Sequence, residues 1–190
     1  MVFIYWLNIG VLLAIFIAEL FFRRFFLRYG KFMLPISAVV IFALPAYESF
    51  LQYQVWSADP VSHLLIPPYT NAGYFIGYIG TRFFAHWILA LLAALVLPAV
   101  ASYFNHRSGE RFFEKEELPL FALGIFLSGY PGFLFYIILL LLAELLLSTF
   151  YSLLSRGRAP MYYLWLPLAI SAILIVNWLI PREFTALFGL

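Results

Sequence analysis

Long apolar segments follow one another along almost the whole chain, and this succession constrains the fold more than any other feature. Five long runs and one short run are separated by brief polar stretches. A run of about 20 apolar residues is long enough to cross the hydrocarbon core of a bilayer as a helix. The pattern predicts an all-α, polytopic integral membrane bundle, one domain over residues 1–190 with about six transmembrane helices. We expect these helices at about 2–22, 32–52, 73–97, 118–128, 132–154 and 161–180.

The composition agrees with a chain that has lipid as its solvent. Of the residues, 65% are hydrophobic and 11% are charged, whereas charged residues make up about a quarter of soluble domains. The net charge of +2 is small and lies mostly in the loops, so we expect no nucleic-acid partner. The absence of Cys excludes thiolate sites, and three separated His fall short of a zinc site. We therefore predict neither a metal nor a cofactor.

The basic residues predict one orientation in the membrane. Nine of the eleven Lys and Arg lie in the stretches 23–31, 105–117 and 155–158, which share one side if the helices alternate. Arg82 lies inside the third helix, and Arg182 lies in the tail. Basic loops are retained in the cytoplasm, so we predict a multi-pass protein of the inner cell membrane with both termini outside. The first apolar run follows no basic segment, and we expect it to be a retained helix rather than a signal peptide.

Prolines and glycines mark ends, kinks and turns of the predicted helices. Pro35 falls in the first turn of the second helix, Pro45 is expected to kink its far end, and Pro98 is expected to close the third. The apolar run from 118 to 154 is too long for one crossing, and the turn at 129–132 divides it into a short and a full helix. Whether the short helix spans the membrane or re-enters it is left open.

Three ionisable residues stand out within the apolar segments, where charge is costly and needs a reason. Arg82 and His86 are four residues apart on the third helix, and therefore share a face. Glu144 lies on the fifth helix, at what we estimate to be a similar depth. We predict a polar cluster in which Glu144 contacts His86 or Arg82. The cluster would either set the packing of the two helices or serve as a proton relay or polar substrate pocket.

Glu116 and Glu117 stand where the short fourth helix begins. Carboxylates at a helix N-terminus interact favourably with the helix dipole, so capping alone would explain both residues. The alternative is a membrane-embedded carboxyl protease, whose chemistry requires two carboxylates that share a proton, one as acid and one as base.

A family resemblance accompanies the second interpretation. The stretch 115–129, KEELPLFALGIFLSG, resembles the helix that opens with a Gly-Asp motif in type IV prepilin peptidases, which are membrane aspartyl proteases. The segment 163–169, YLWLPLA, is similar to a later segment of that family, and the resemblance covers about residues 109–176. It implies that Glu116 occupies the position of a catalytic Asp. Lys115 and Phe113 stand where the family motif has glycines.

The counterpart of the family's other catalytic residue would be Asp59, which precedes Ile66 and Pro67. The predicted orientation, however, puts Asp59 outside the cell and Glu116 inside. We therefore expect a degenerate relative that handles single-helix membrane proteins such as pilin-type precursors, and whether it is an enzyme is left open. Two alternatives remain, a non-enzymatic subunit or scaffold of an assembly complex, and a small-solute transporter that uses His86 and Glu144.

Overall fold

The computed structural model describes residues 2–109, 114, 117–154 and 162–179. Every regular element in these ranges is helical and none is a strand, so the all-α prediction is confirmed. The α-helices are α1 (Val2–Phe21), α2 (Arg23–Ala58), α3 (Ala72–Ile79), α4 (Ala85–Arg107), α5 (Glu117–Ser128), α6 (Gly132–Leu153) and α7 (Trp165–Leu174). A π-helical segment, Gly80–Phe84, joins α3 to α4, and a second, Ile175–Leu179, follows α7. Two short 3₁₀ turns cover Ser62–Leu65 and Tyr162–Leu164.

Two helices are much longer than the apolar pattern predicts. The stretch 23–31, expected as a basic loop, forms the first turns of α2, and only Phe22, with φ −124° and ψ 42°, interrupts the chain after α1. Similarly, α4 continues to Arg107 with Pro98 in its interior. Hydropathy marks the part of a helix that lipid can cover, whereas backbone hydrogen bonds continue into polar sequence. A proline removes only one of those bonds, and membrane helices tolerate it.

Three helical stretches are long and apolar enough to cross a membrane, judged by length and composition: Tyr29–Ala58, Ala72–Arg107 and Gly132–Leu153. Shorter apolar helical stretches, of 10–17 residues, are Trp6–Phe21, Glu117–Ser128 and Trp165–Leu179. Many large apolar side chains are exposed, among them Leu141, Leu145 and Leu146 on one face of α6. Such a surface is unfavourable in water, and lipid is the solvent that suits it.

The short helix α5 lies at the centre of the bundle. It packs against α1, α2, α4, α6 and α7, and every residue from Ala122 to Ser128 is buried. Its 12 residues extend about 18 Å, which is less than the hydrocarbon core of a bilayer. α5 is therefore an enclosed short helix, although its sequence is as apolar as that of a spanning segment.

Contacts at the end of α5 set the depth of its neighbours. The amide Nδ2 of Asn8 on α1 donates to the carbonyl oxygen of Leu127 at 3.0 Å. The Trp87 ring on α4 lies beside Gly129, and the rings of Phe42 on α2 and Phe126 have centroids 6.2 Å apart. Both α2 and the α3–α4 stretch continue well past this level. We call their outer part, residues 43–84, the projecting hairpin, and it extends beyond the α5–α6 turn by about 20 Å.

Candidate functional site

Asp59 follows the last residue of α2 and begins the next turn of the chain. Its Oδ2 accepts hydrogen bonds from the backbone N–H of Ser62 at 2.7 Å and of Val61 at 3.2 Å. The backbone N–H and hydroxyl of Ser62 lower the pKa of the Asp59 carboxyl, with smaller contributions from Val61 and His63. The charged carboxylate thus stabilises the start of the 3₁₀ turn, which is a structural role for this residue.

Glu117 caps α5 by reciprocal hydrogen bonds with Glu114. Its Oε2 accepts the backbone N–H of Glu114 at 3.0 Å, and its own backbone N–H donates to the Glu114 carbonyl at 3.0 Å. As in a capping box, the Glu side chain reaches back to the backbone N–H of the residue three positions earlier. The capping role expected for Glu117 is present in the structure, whereas Glu116 lies outside the described residues.

The structure does not bring Asp59 to the start of α5. A Cβ placed on Gly30, near the beginning of α2, would lie 3.7 Å from Pro119 Cβ, so this part of α2 is level with the first turn of α5. Asp59 lies 29 residues further along the same helix, which corresponds to about 43 Å. Asp59 therefore lies at one end of α2, whereas Glu117, the neighbour of Glu116 in sequence, is level with the other end.

Glu19 on α1 is a second buried carboxylate near the start of α5, and no prediction from the sequence made it part of a site. Glu19 on α1 is 1% exposed and Glu117 is 3% exposed. Asn8 contacts Leu127 near the other end of α5, whereas the last turn of α1 adjoins the start of α2, which is level with the start of α5. The eleven residues from Asn8 to Glu19 bring Glu19 to the level at which α5 begins. The spacing of residues along α1 could have indicated that Glu19 is buried, since Asn8, Leu12 and Glu19 share one helical face. All three are buried in the structure.

The predicted cluster of Arg82, His86 and Glu144 is not assembled. Arg82 is exposed in the π-helical segment, and His86 and Glu144 are half-buried on α4 and α6. Among the described residues, no hydrogen bond or ion pair joins Glu144 to either of the other two. His86 precedes Trp87, which lies beside the α5–α6 turn at Gly129.

The depths of these residues explain why they remain apart. α6 begins at Gly132, which lies beside Ser128. A Cβ placed on Gly132 would be 3.6 Å from Ser128 Cβ. Glu144 lies twelve residues further along α6, which is about 18 Å deeper than the turn. The prediction from the sequence measured the depths of His86 and Glu144 from the start of their own helices. It could not account for the projecting hairpin, which raises His86 to the level of the turn.

The described part of the chain contains no group of three or more His, Cys, Asp or Glu side chains arranged to hold a metal ion. Polar arrangements among the described residues include the hydrogen-bonded turn at Asp59, the hydrogen bond from Asn8 to the Leu127 carbonyl, and the two buried carboxylates near the start of α5. No protein family, curated protein or solved structure matches the chain.

Proposed function

We propose that the chain is a multi-pass membrane protein that resembles prepilin peptidases but does not cleave, and that it acts as a membrane subunit that binds single-helix proteins such as pilin-type precursors. The observation that supports this proposal is the separation of the two candidate carboxylates. Asp59 lies about 43 Å along α2 from the level at which α5 begins with Glu117, the residue that follows Glu116 in sequence.

The state of Asp59 supports the same proposal. A carboxyl protease requires a pair of carboxylates that share a proton, which raises the pKa of one partner. Asp59 instead accepts two backbone N–H donors, and its pKa is lowered by Ser62. A carboxylate held in its charged form at a turn is poorly suited to hold the shared proton.

The orientation is part of the proposal. The basic stretches 23–31, 105–117 and 155–158 would lie in the cytoplasm, and both termini would lie outside a cell membrane. The Asp59 turn and the projecting hairpin would then face outward. A partner helix would pack in the bilayer against the exposed apolar faces of α4 and α6, which carry residues such as Leu92 and Leu145.

The buried carboxylates near the start of α5 favour a second candidate, in which carboxyl chemistry is retained. Glu19 and Glu117 are buried at the same end of α5, and Glu117 follows Glu116 in sequence. In this candidate Glu19 takes the place that the family resemblance assigns to Asp59, and Glu116 keeps its own. The chain would then be a membrane-embedded carboxyl protease with two glutamates.

Co-expression with a pilin-type precursor separates the two candidates. We expect the precursor to keep its full mass beside the wild-type chain and beside Glu116→Gln, and to co-purify with both chains in mild detergent. A working prepilin peptidase, expressed with the same precursor, provides the positive control for cleavage. A shortened precursor that depends on Glu116 and Glu19, tested by Glu116→Gln and Glu19→Gln, would replace the first candidate with the second. Absence of both cleavage and co-purification would contradict both.

A further inference from the structure

Two arginines, Arg82 and Arg107, lie within the longest membrane-compatible helical stretch, Ala72–Arg107. Arg82 lies in the π-helical segment and Arg107 ends α4, and both side chains are exposed. Their positions are 25 residues apart, which corresponds to about 37 Å along a helix axis. Residues 83–106 contain no Lys, Arg, Asp or Glu. The hydrocarbon core is about 30 Å thick, so this spacing brings each guanidinium to the headgroup level of one leaflet.

Arg82 has no counter-ion within the described chain. The packed neighbour α2 carries Glu48, which is half-buried, and α4 carries His86 one turn deeper. Neither forms an ion pair or hydrogen bond with Arg82 among the residues that the structure describes. A guanidinium at the edge of the hydrocarbon is costly without an anion, and a lipid phosphate at that depth can supply one.

The local helix geometry leaves Arg82 as the donor that faces outward. The N–H of Ala85 bonds to the carbonyl of Gly80 five residues earlier, which widens the turn around Arg82. The adjacent Thr81 hydroxyl is directed back to the backbone, with carbonyl oxygens of Gly77 at 2.9 Å and Tyr78 at 3.1 Å. Because the Thr81 hydroxyl is occupied there, the guanidinium supplies the outward-facing donors. π-helical turns of this kind occur often at functional sites.

Aromatic rings close to Arg82 are those expected at a membrane interface. Trp56 contacts Tyr78, one turn outward from Arg82, with ring centroids 4.8 Å apart, and Phe75 at 5.4 Å. Trp and Tyr concentrate at the depth of lipid headgroups. The anion available at that depth is the phosphate of a phospholipid, and the planar guanidinium binds two phosphate oxygens at once.

We propose that Arg82, with the half-buried His86 one turn beneath it, binds the phosphate of a phospholipid headgroup. The guanidinium contacts phosphate oxygens, and a ring N–H of His86 donates to an oxygen on the glycerol side of the same headgroup. This binding does not depend on the proposed function. The proposed orientation determines only the leaflet in which the bound lipid lies, which would be the outer one.

Native mass spectrometry of the full chain, purified in mild detergent, tests the site. We add phosphatidylglycerol, diacylglycerol with the same acyl chains, or inorganic phosphate, and measure the bound fraction. The wild-type chain is expected to retain phosphatidylglycerol in clear preference to diacylglycerol. Arg82→Gln should weaken this retention about tenfold, since a charge-assisted hydrogen-bonded pair is lost. Arg82→Lys should restore part of it, and Glu48→Gln should leave it unchanged.

The controls separate the possible results. Equal retention of phosphatidylglycerol by wild type and Arg82→Gln would overturn the proposal, as would equal binding of diacylglycerol. An effect of Glu48→Gln as large as that of Arg82→Gln would also overturn it, because Arg82 would then act through a pair within the chain. Competition by millimolar inorganic phosphate would identify free phosphate, and not a lipid, as the source of the anion. Matching circular-dichroism spectra establish that the variants fold.

Discussion

At the scale of single residues, the same carboxylate in a sequence can be interpreted as a catalytic group or as a group that starts a turn. Asp59 is the only Asp of the chain and is a candidate catalytic residue in the proposed resemblance, yet its Oδ2 accepts hydrogen bonds from the backbone N–H groups of Val61 and Ser62. Asp residues often bond to backbone N–H groups two or three positions later and thereby start a turn. The local interaction is sufficient to explain why this residue occurs at the end of a helix.

The turn at Asp59 should depend on pH in a definite direction. The folded pKa of Asp59 lies below its ordinary value of 3.8, chiefly because of the Ser62 hydrogen bonds, so the charged form stabilises the turn. This stabilisation is fully present above about pH 4 and is lost as the pH falls through the folded pKa. Amide hydrogen exchange at Ser62, corrected for the intrinsic rate, should show protection that declines at low pH. Asp59→Asn should show no such titration, and an identical profile in both chains would contradict the assignment.

At the scale of elements, α5 owes its central position to close packing that sequence hydropathy cannot describe. A Cβ built on Gly124 would lie 2.5 Å from the hydroxyl and Cζ of Tyr136 on α6. The Tyr136 ring is fully buried and is tilted against Phe121 and thus close to the start of α5. Small residues at helix interfaces allow this close approach within membranes. Gly124 therefore allows α6 to pack directly on α5.

Replacement of Gly124 should disrupt this packing. Gly124→Ala forces the Tyr136 ring or one helix to move, and we expect a loss of about 1–3 kcal/mol in the free energy of unfolding. Thermal unfolding in detergent or lipid nanodiscs measures the change. Gly77→Ala is the matched control, because a Cβ built there has no neighbour within 4 Å, and it should be neutral or slightly stabilising. Equal effects of the two substitutions would contradict close packing at Gly124.

At the scale of the whole molecule, the distribution of basic residues and the bundle geometry support one another. The starts of α2 and α5 are level at Gly30 and Pro119, and the basic stretches 23–31 and 105–117 adjoin these starts. The loop after α2, residues 59–71, contains no Lys or Arg and lies at the other end of that helix. The two ends of the bundle thus differ in charge as the positive-inside rule requires for an oriented insertion.

The absence of native Cys makes this orientation easy to measure. The proposed orientation predicts that Val61→Cys, in the loop after α2, reacts in intact cells with a membrane-impermeant maleimide. Ser108→Cys, within the basic stretch 105–117, should react only after the membrane is permeabilised. Val61 is 74% exposed, so the access of the reagent is not limited by burial. The reverse labelling pattern would require the opposite orientation, and would move Asp59 to the cytoplasm.

Much of the fold could be read from the sequence, because lipid imposes a simple requirement. Apolar runs must be helical where backbone groups have no water to bond, so the all-α class follows, and so do the approximate positions of α1, α5 and α6. The capping role of Glu117 followed from its place at the start of α5, since helix ends leave backbone N–H groups that a carboxylate can accept. These conclusions rest on interactions between neighbours in sequence or between the chain and its solvent.

Depth and proximity were decided only by the tertiary structure. The lengths of α2 and α4, the enclosure of α5 and the separation of His86 from Glu144 depend on how far each helix extends past its neighbours. Apolar sequence sets which surfaces lipid can cover, but it does not set register, because a helix can slide along its partners at little cost in hydropathy. The register is set by specific contacts such as Asn8 with Leu127 and Gly124 with Tyr136. Those contacts bring Glu19 level with Glu117 and keep Asp59 at the far end of α2.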